Sequence, residues 1–264
     1  VDHPAQAGRS TLIESDFDLT TGDVVYESFV MADGIVEHRR PLPSVGPESG
    51  FFALAGDSIV FGQTVGRREL HLRRVDVTTG LSADEELVYT PPGLMNNVKL
   101  AHSDIGDGDT TAVAFSSQRA PGDSSLFVVL ESGGTFAATE YPGSTNIRGV
   151  DITERDEGWL LAYATDDAVF TVLLDATGAA IRTTEIASVG FVPDVHLATH
   201  DAGFFLAFGG TAPAIHSLDE NGLSTGERSM TGRFLALEWA ADEGSLMAVR
   251  TDALLCVDEG DPLD

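Results

Sequence analysis

The chain is nearly devoid of lysine. Lys99 is the only one among 264 residues, and the other cationic side chains are 14 scattered arginines. Against 42 acidic residues they leave a formal net charge of −27. Nucleic-acid binding requires cations to neutralise phosphates, and so does adhesion to an anionic bilayer surface. Charge therefore argues against both. Apolar runs are short too. None approaches the ~18 residues that a membrane-spanning helix requires, so no membrane insertion is expected.

Cysteine is almost absent as well. Cys256 is alone, which rules out a disulfide framework. It sits in the apolar run Ala253–Val257 with no histidine or asparagine arranged around it, so it reads as a buried structural thiol. Helical periodicity is missing almost everywhere, and 28 glycines and 11 prolines punctuate the chain. There is no Gly-x-Ser-x-Gly elbow, no phosphate-cradling loop leading into a helix and no His-Glu-x-x-His pair. No catalytic residue is assigned. The chain begins at Val1 rather than at methionine, and the expectation is either a processed product or a trimmed chain, with any signal peptide already gone.

What is present is repetition. Val150–Tyr163, Val195–Phe208 and Leu235–Val249 align, each with alternating apolar residues, then an acidic turn ending in glycine, then a short hydrophobic run. That pattern is strand, tight turn, strand. A second unit follows: an apolar run, an acidic residue and a turn closed by glycine, as in Leu173–Gly178, Ser217–Gly222 and Val75–Gly80. Looser copies are Val128–Gly134 and Val257–Gly260, with Phe17–Gly22 and Met31–Gly34 near the N-terminus. Successive turn glycines at 80, 134, 178, 222 and 260 are 54, 44, 44 and 38 residues apart. A period in the forties with four short strands per unit is the signature of β-propeller blades. A β-sandwich gives no reason for the period, and a TIM barrel needs eight helices.

The expected fold is all-β: a single β-propeller domain over residues 1–264, with residues 1–10 and 259–264 as tails. In the clearest blade the strands A to D, innermost to outermost, fall near 192–199, 203–209, 213–218 and 226–231. Others run from about Arg148 to Ile186, Asn96 to Tyr141 and Gly50 to Tyr89. The last, Arg233 to Val257, has three strands, and Thr11–Pro41 supplies two or three more. Six blades of mostly four antiparallel strands are expected, with five as the alternative. The three-stranded last unit leaves an open edge, so an N-terminal strand, Thr11–Leu19 or Val24–Met31, is expected to pair beside Ala253–Val257 and close one blade.

The segments Pro193–Phe208 and Ile215–Gly222 carry a family likeness. The pattern resembles bacterial secreted or lipoprotein-type β-propeller repeats. The Trp-Asp dipeptide of one propeller class, the Gly-Gly doublet with Tyr or Trp of the kelch class and the sialidase Asp-box are all missing. The resemblance implies extracytoplasmic localisation (secreted, periplasmic or cell-surface), and it brings no catalytic signature.

Candidate site residues follow from strand parity. Lys99, Asp151 and His196 occupy matching positions in successive A strands, and Asn97, Gly149 and Asp194 the positions two residues earlier. Innermost strands line the channel, so Asn97, Lys99, Arg148, Asp151, Asp194 and His196 form a candidate ligand site at its mouth. Lys99 and Asp151 could equally pair as a polar lining with no chemistry. Arg67, Arg68, Arg119 and Arg148 fall in loops of that same face and could make a local basic rim, or be surface arginines of no site. Asp104, Asp107 and Asp109, with glycines between them, are spaced to wrap Ca²⁺ or to form an acidic hairpin turn. Asp194, His196 and His200 share parity, but residues 196 and 200 lie about 13 Å apart along a strand, too far to share one ion. They read as structural. No other cofactor is expected.

Two functions fit. One is a non-enzymatic binding module that recognises a protein or a glycan through its loop faces. The alternative is a carbohydrate-active hydrolase or lyase with Asp151 and Asp194 as paired carboxylates and Lys99 or Arg148 holding an anionic substrate.

Overall fold

The computed structural model describes residues 9–18, 23–32, 35–41, 50–55, 58–76, 79, 81, 86–103, 110–141, 146–188, 190, 192, 194–200, 202–240, 245–250 and 254–258. Among them every regular element is a β-strand. No helix among the described residues is long and apolar enough to cross a membrane.

The strands form six antiparallel sheets, each a meander in chain order. The first holds β1 (Arg9–Asp18), β2 (Asp23–Ala32) and β3 (Ile35–Pro41). The second holds β4 (Gly50–Ala55), β5 (Ser58–Val65), β6 (Glu69–Asp76) and β7 (Glu86–Tyr89). The third holds β8 (Leu94–Ser103), β9 (Thr110–Ala120), β10 (Asp123–Ser132) and β11 (Thr135–Tyr141). The fourth holds β12 (Gly149–Arg155), β13 (Gly158–Ala164), β14 (Ala168–Asp175) and β15 (Ala180–Ser188). The fifth holds β16 (Val195–His200), β17 (Gly203–Phe208), β18 (Ala214–Asp219) and β19 (Ser224–Ser229). The sixth holds β20 (Phe234–Ala240), β21 (Ser245–Arg250) and β22 (Leu254–Asp258). Sheets two to six fall where the repeat placed them.

The chain divides into two compact units. The first comprises Val1–Met95, Leu100–Thr111 and Glu131–Phe136, and the second the remaining residues from Asn96 onward.

The expected joining of the chain ends is corrected by the strand order. β1 pairs along its whole length with β2, from Arg9↔Ala32 to Asp18↔Asp23, and β2 pairs with β3. β22 pairs with β21. The described part of Thr11–Leu19, which ends at Asp18, and Val24–Met31 therefore belong to a sheet of their own rather than to the last one. The physical reason is loop closure. A hairpin across four residues reaches its ladder at far less entropic cost than one closed through most of the chain. β1 also starts at Arg9, inside the stretch expected to be a tail.

In the second unit the sheets pack face to face, which explains the hydrophobic pattern. All six residues of β17 are buried. Phe204, Leu206 and Phe208 pack against Leu160, Ala162 and Val169 of the fourth sheet. Phe205 and Ala207 point the other way, against Phe234, Leu246 and Ala248 of the sixth. Side chains alternate along a strand, so a strand sandwiched on both faces must be apolar at every position. The outermost strands β11, β15 and β19 have no such double cover and alternate exposed with half-buried residues.

Turn chemistry explains the repeated acidic residues. Asp175 Oδ1 accepts hydrogen bonds from the N–H groups of Thr177 (2.8 Å) and Ala179 (2.9 Å) and from the Thr177 hydroxyl (2.7 Å). Asp219 Oδ1 repeats this with Asn221 (2.9 Å) and Leu223 (2.8 Å), and Asp76 Oδ1 takes the Thr79 N–H at 2.6 Å. In each the carboxylate replaces the missing strand partner of the turn backbone. The closing glycines then dock on the preceding sheet. Thr171 donates to the Gly222 carbonyl at 3.0 Å, and Tyr141 donates to the Gly178 carbonyl. A Cβ on Gly222 would lie 2.7 Å from Leu160.

Candidate functional site

Strand polarity sorts the connections of the second unit into two ends. The A–B and C–D turns of the sheets lie at one end, and the B–C and D–A connections at the other. The residues expected at the channel mouth lie on or beside A strands β8, β12 and β16.

His196, on β16, is the focus of the cluster. It is buried, and burial pushes its imidazole below the ordinary value, with the charge of Lys99 adding to the effect. Asp151, Asp194 and a hydrogen bond to the Phe234 backbone pull the other way. The net direction is downward, so the ring stays neutral where a free histidine begins to charge. Lys99, Asp151 and Asp194 therefore all lie near enough to act on the charge of the His196 imidazole.

The two carboxylates already have partners. Asp151 Oδ2 accepts the Leu197 N–H at 2.8 Å and Oδ1 accepts its neighbour Ile152 N–H at 3.0 Å. The carboxylate therefore stitches β12 to β16 across two sheets. Asp194 Oδ2 pairs with Arg233 Nε, while its carbonyl accepts the Gly209 N–H at 3.4 Å. Gly149 and Gly209 leave it room: a Cβ on Gly149 would lie 3.0 Å from the Asp194 Cα, and one on Gly209 2.5 Å from Oδ1. That Oδ1 is buried and meets no hydrogen-bond donor.

Asn97 and Arg148 are engaged elsewhere. Asn97, in the left-handed region at φ 52°, donates from Nδ2 to Ser116 Oγ at 3.4 Å. Arg148 Nε donates to Asp166 Oδ1 at 2.6 Å, and Arg119 Nη2 donates to Glu140 Oε1 at 2.8 Å. In the first unit Arg67 Nε donates to the Met95 carbonyl at 3.1 Å. The arginines read as a basic rim are largely matched by carboxylates or carbonyls. Half-exposed pairs of this kind contribute about 0–1 kcal/mol each.

The histidines separate too. His200 Nδ1 accepts the Ala202 N–H at 3.2 Å, and its ring packs tilted against Phe205 with centroids 4.5 Å apart. Among the described residues no three His, Cys, Asp or Glu side chains converge on a metal position. Asp104, Asp107 and Asp109 lie outside the described residues.

One feature of the second unit escaped the sequence reading. At the end carrying the A–B and C–D turns is a cleft of about 380 Å3, lined by Arg155, Asp156, Glu157, His200, Glu220 and Asn221 among others. The Arg155 Nη1 is buried there without an acceptor. A single arginine at a strand end has no counterpart in the repeat, so the repeat does not single it out.

No known protein family matches this sequence, and no curated protein matches it. Solved structures do. A chain of a nidogen/laminin complex superposes with a TM-score of 0.58 at 10% identity, covering 97% of this chain and 92% of that one. The Dos1 propeller superposes with a TM-score of 0.56 at 12% identity, covering 91% and 66%. Together with the four-stranded antiparallel meanders, these neighbours identify the fold as a β-propeller.

Proposed function

We propose that this chain is a non-enzymatic binding module, a single propeller of six blades that recognises a protein or a glycan through its loop faces. Six sheets along the chain support the blade number. The observation that carries the functional reading is the use of Asp151. Both of its oxygens are consumed by main-chain N–H groups, one of them on the neighbouring A strand, so it is a structural tie rather than an acid or base. Its would-be partner Asp194 is held by Arg233. A hydrolase or lyase needs two carboxylates free to exchange protons with a substrate. Propellers are rigid platforms whose loops vary without disturbing the sheets, which suits recognition. One structural neighbour comes from a nidogen/laminin complex, a protein–protein assembly, which fits this reading. A bacterial, extracytoplasmic setting is part of the proposal and rests on the repeat resemblance.

The test is to expose the purified chain to a glycan array and a peptide array, with product analysis on polysaccharides alongside. Retention on one array without cleavage is expected. Cleavage that Asp151→Asn abolishes in a still-folded protein would establish the hydrolase or lyase reading instead.

A further inference from the structure

His196 stands at the seam between the fifth and sixth sheets. It is 8% exposed, on β16, which packs between β12 and β20. Val195 and Leu197 pack with the fourth sheet, whereas Ala198 packs with Phe234, Leu246 and Ala248 of the sixth. Side chains alternate along a strand, so His196 shares the face of Ala198 and is turned to the sixth sheet. There its ring hydrogen-bonds the Phe234 backbone. The bond favours the charged ring, which marks the imidazole N–H as the donor and the Phe234 carbonyl as the acceptor. The Asp194–Arg233 pair joins the starts of the same two strands.

Each neighbouring element brings a definite set of charges to this ring. Lys99 comes from β8 and Asp151 from β12, both within the second unit. Asp194 precedes β16 and Arg233 precedes β20. β17 has no titratable residue. β13 has only Tyr163, whose ring stacks on Phe170. His200 on β16 and Glu238 on β20 each lie four positions along their strands from His196 and Phe234, about 13 Å away. Arg250 is the register partner of Phe234 on β21. With the ring neutral, Lys99 and Arg233 balance Asp151 and Asp194. A proton on the buried ring leaves that group with an uncompensated positive charge. Burial and then Lys99 disfavour that proton, and together they outweigh Asp151, Asp194 and the Phe234 bond.

We propose that His196 is an acid-sensitive latch: the neutral ring holds β16 to β20, and a proton taken up as this seam opens keeps it open. The device goes beyond the binding-module reading and does not depend on what the module binds. In an open seam the ring meets water and titrates near its ordinary 6.5, while the closed seam denies it the charge. The closed state is therefore at full stability above that value and loses ground as pH falls below it. A ring that charges only in the open state multiplies the opening equilibrium about fourfold at pH 6 and at most about thirtyfold at pH 5.

The experiment is amide hydrogen exchange on the whole chain between pH 8 and pH 5, expressed as protection so that the intrinsic pH dependence of exchange drops out. Protection of the β16 and β20 amides is expected to fall about tenfold while that of β13 holds. His196→Gln keeps a donor for the Phe234 carbonyl and takes no charge, so its protection at β16 and β20 should stay level. If that variant does not fold, Lys99→Gln carries the test. Without the cation the closed ring charges more readily, and the fall should be smaller than in the parent. Level protection in the parent, the same fall in His196→Gln, or an undiminished fall in Lys99→Gln would each overturn the latch. So would an equal loss at β13, which would mean that acid unfolds the molecule as a whole.

Discussion

Single residues in this chain are chosen by backbone contacts as much as by side-chain chemistry. Gly158 and Gly203 each open the second strand of a hairpin, at φ +144° and +150°. A Cβ on Gly158 would lie 2.4 Å from the Leu174 carbonyl oxygen, and one on Gly203 2.2 Å from that of Leu218. The glycine is required because strand C already occupies the space, which is a stricter demand than a tight turn makes. Gly158→Ala should therefore destabilise the protein by about 2 kcal/mol, read from urea unfolding. His216 illustrates the opposite pressure. It is buried, donates or accepts at Nδ1 with Ser224 Oγ at 3.0 Å, stacks on Phe208, and leaves Nε2 without a partner. Burial lowers its pKa, with Glu227 opposing. The folded state resists protonation that the unfolded chain accepts, so stability is full above the unfolded value near 6.5 and falls as pH drops toward the lowered folded value. Relative to the parent, His216→Gln should show a smaller loss of thermal midpoint between about pH 7 and pH 5. An identical pH dependence in the two proteins would refute this.

At the scale of elements, the hairpins were legible and the ties between them were not. Asp-x-Gly between two apolar runs gave β12–β13 and β16–β17, because turn chemistry and period-2 patterning are local. The doubly buried strand β17 was legible for the same reason, since Gly203–Phe208 is apolar at every position. Asp151 falls on the expected strand, but its hydrogen bond to the next sheet is not visible in the sequence. Its partner is the N–H of Leu197, and a main-chain donor leaves no trace in the sequence of the acceptor. The ends of the chain were misjudged likewise, because an open edge at β22 signals a need for a partner without saying which strand meets it. Removing the tie tests its weight. Asp151→Ala strands the Leu197 N–H and should cost about 1–3 kcal/mol in calorimetric or urea unfolding. A variant as stable as the parent would show that water replaces the carboxylate without loss.

At the scale of the whole molecule, charge and chain order dominate. A net charge of −27 repels itself in the folded state. Raising ionic strength from ~0.01 M to ~0.15 M shortens the screening length from about 30 Å to about 8 Å. The thermal midpoint should rise by a few degrees over that range, and a fall would mean that the arginine–carboxylate pairs outweigh the repulsion. Chain order has a consequence for biosynthesis. The hydroxyls of Tyr141 and Thr171 and the guanidinium of Arg182 donate to carbonyls of Gly178, Gly222 and Asn221, in each case to a turn of the following sheet. On the ribosome each donor is translated before its acceptor. A newly emerged turn thus finds its anchor already waiting on the hairpins ahead of it, and assembly of this half of the protein can keep pace with synthesis from N- to C-terminus, one blade serving as the mould for the next.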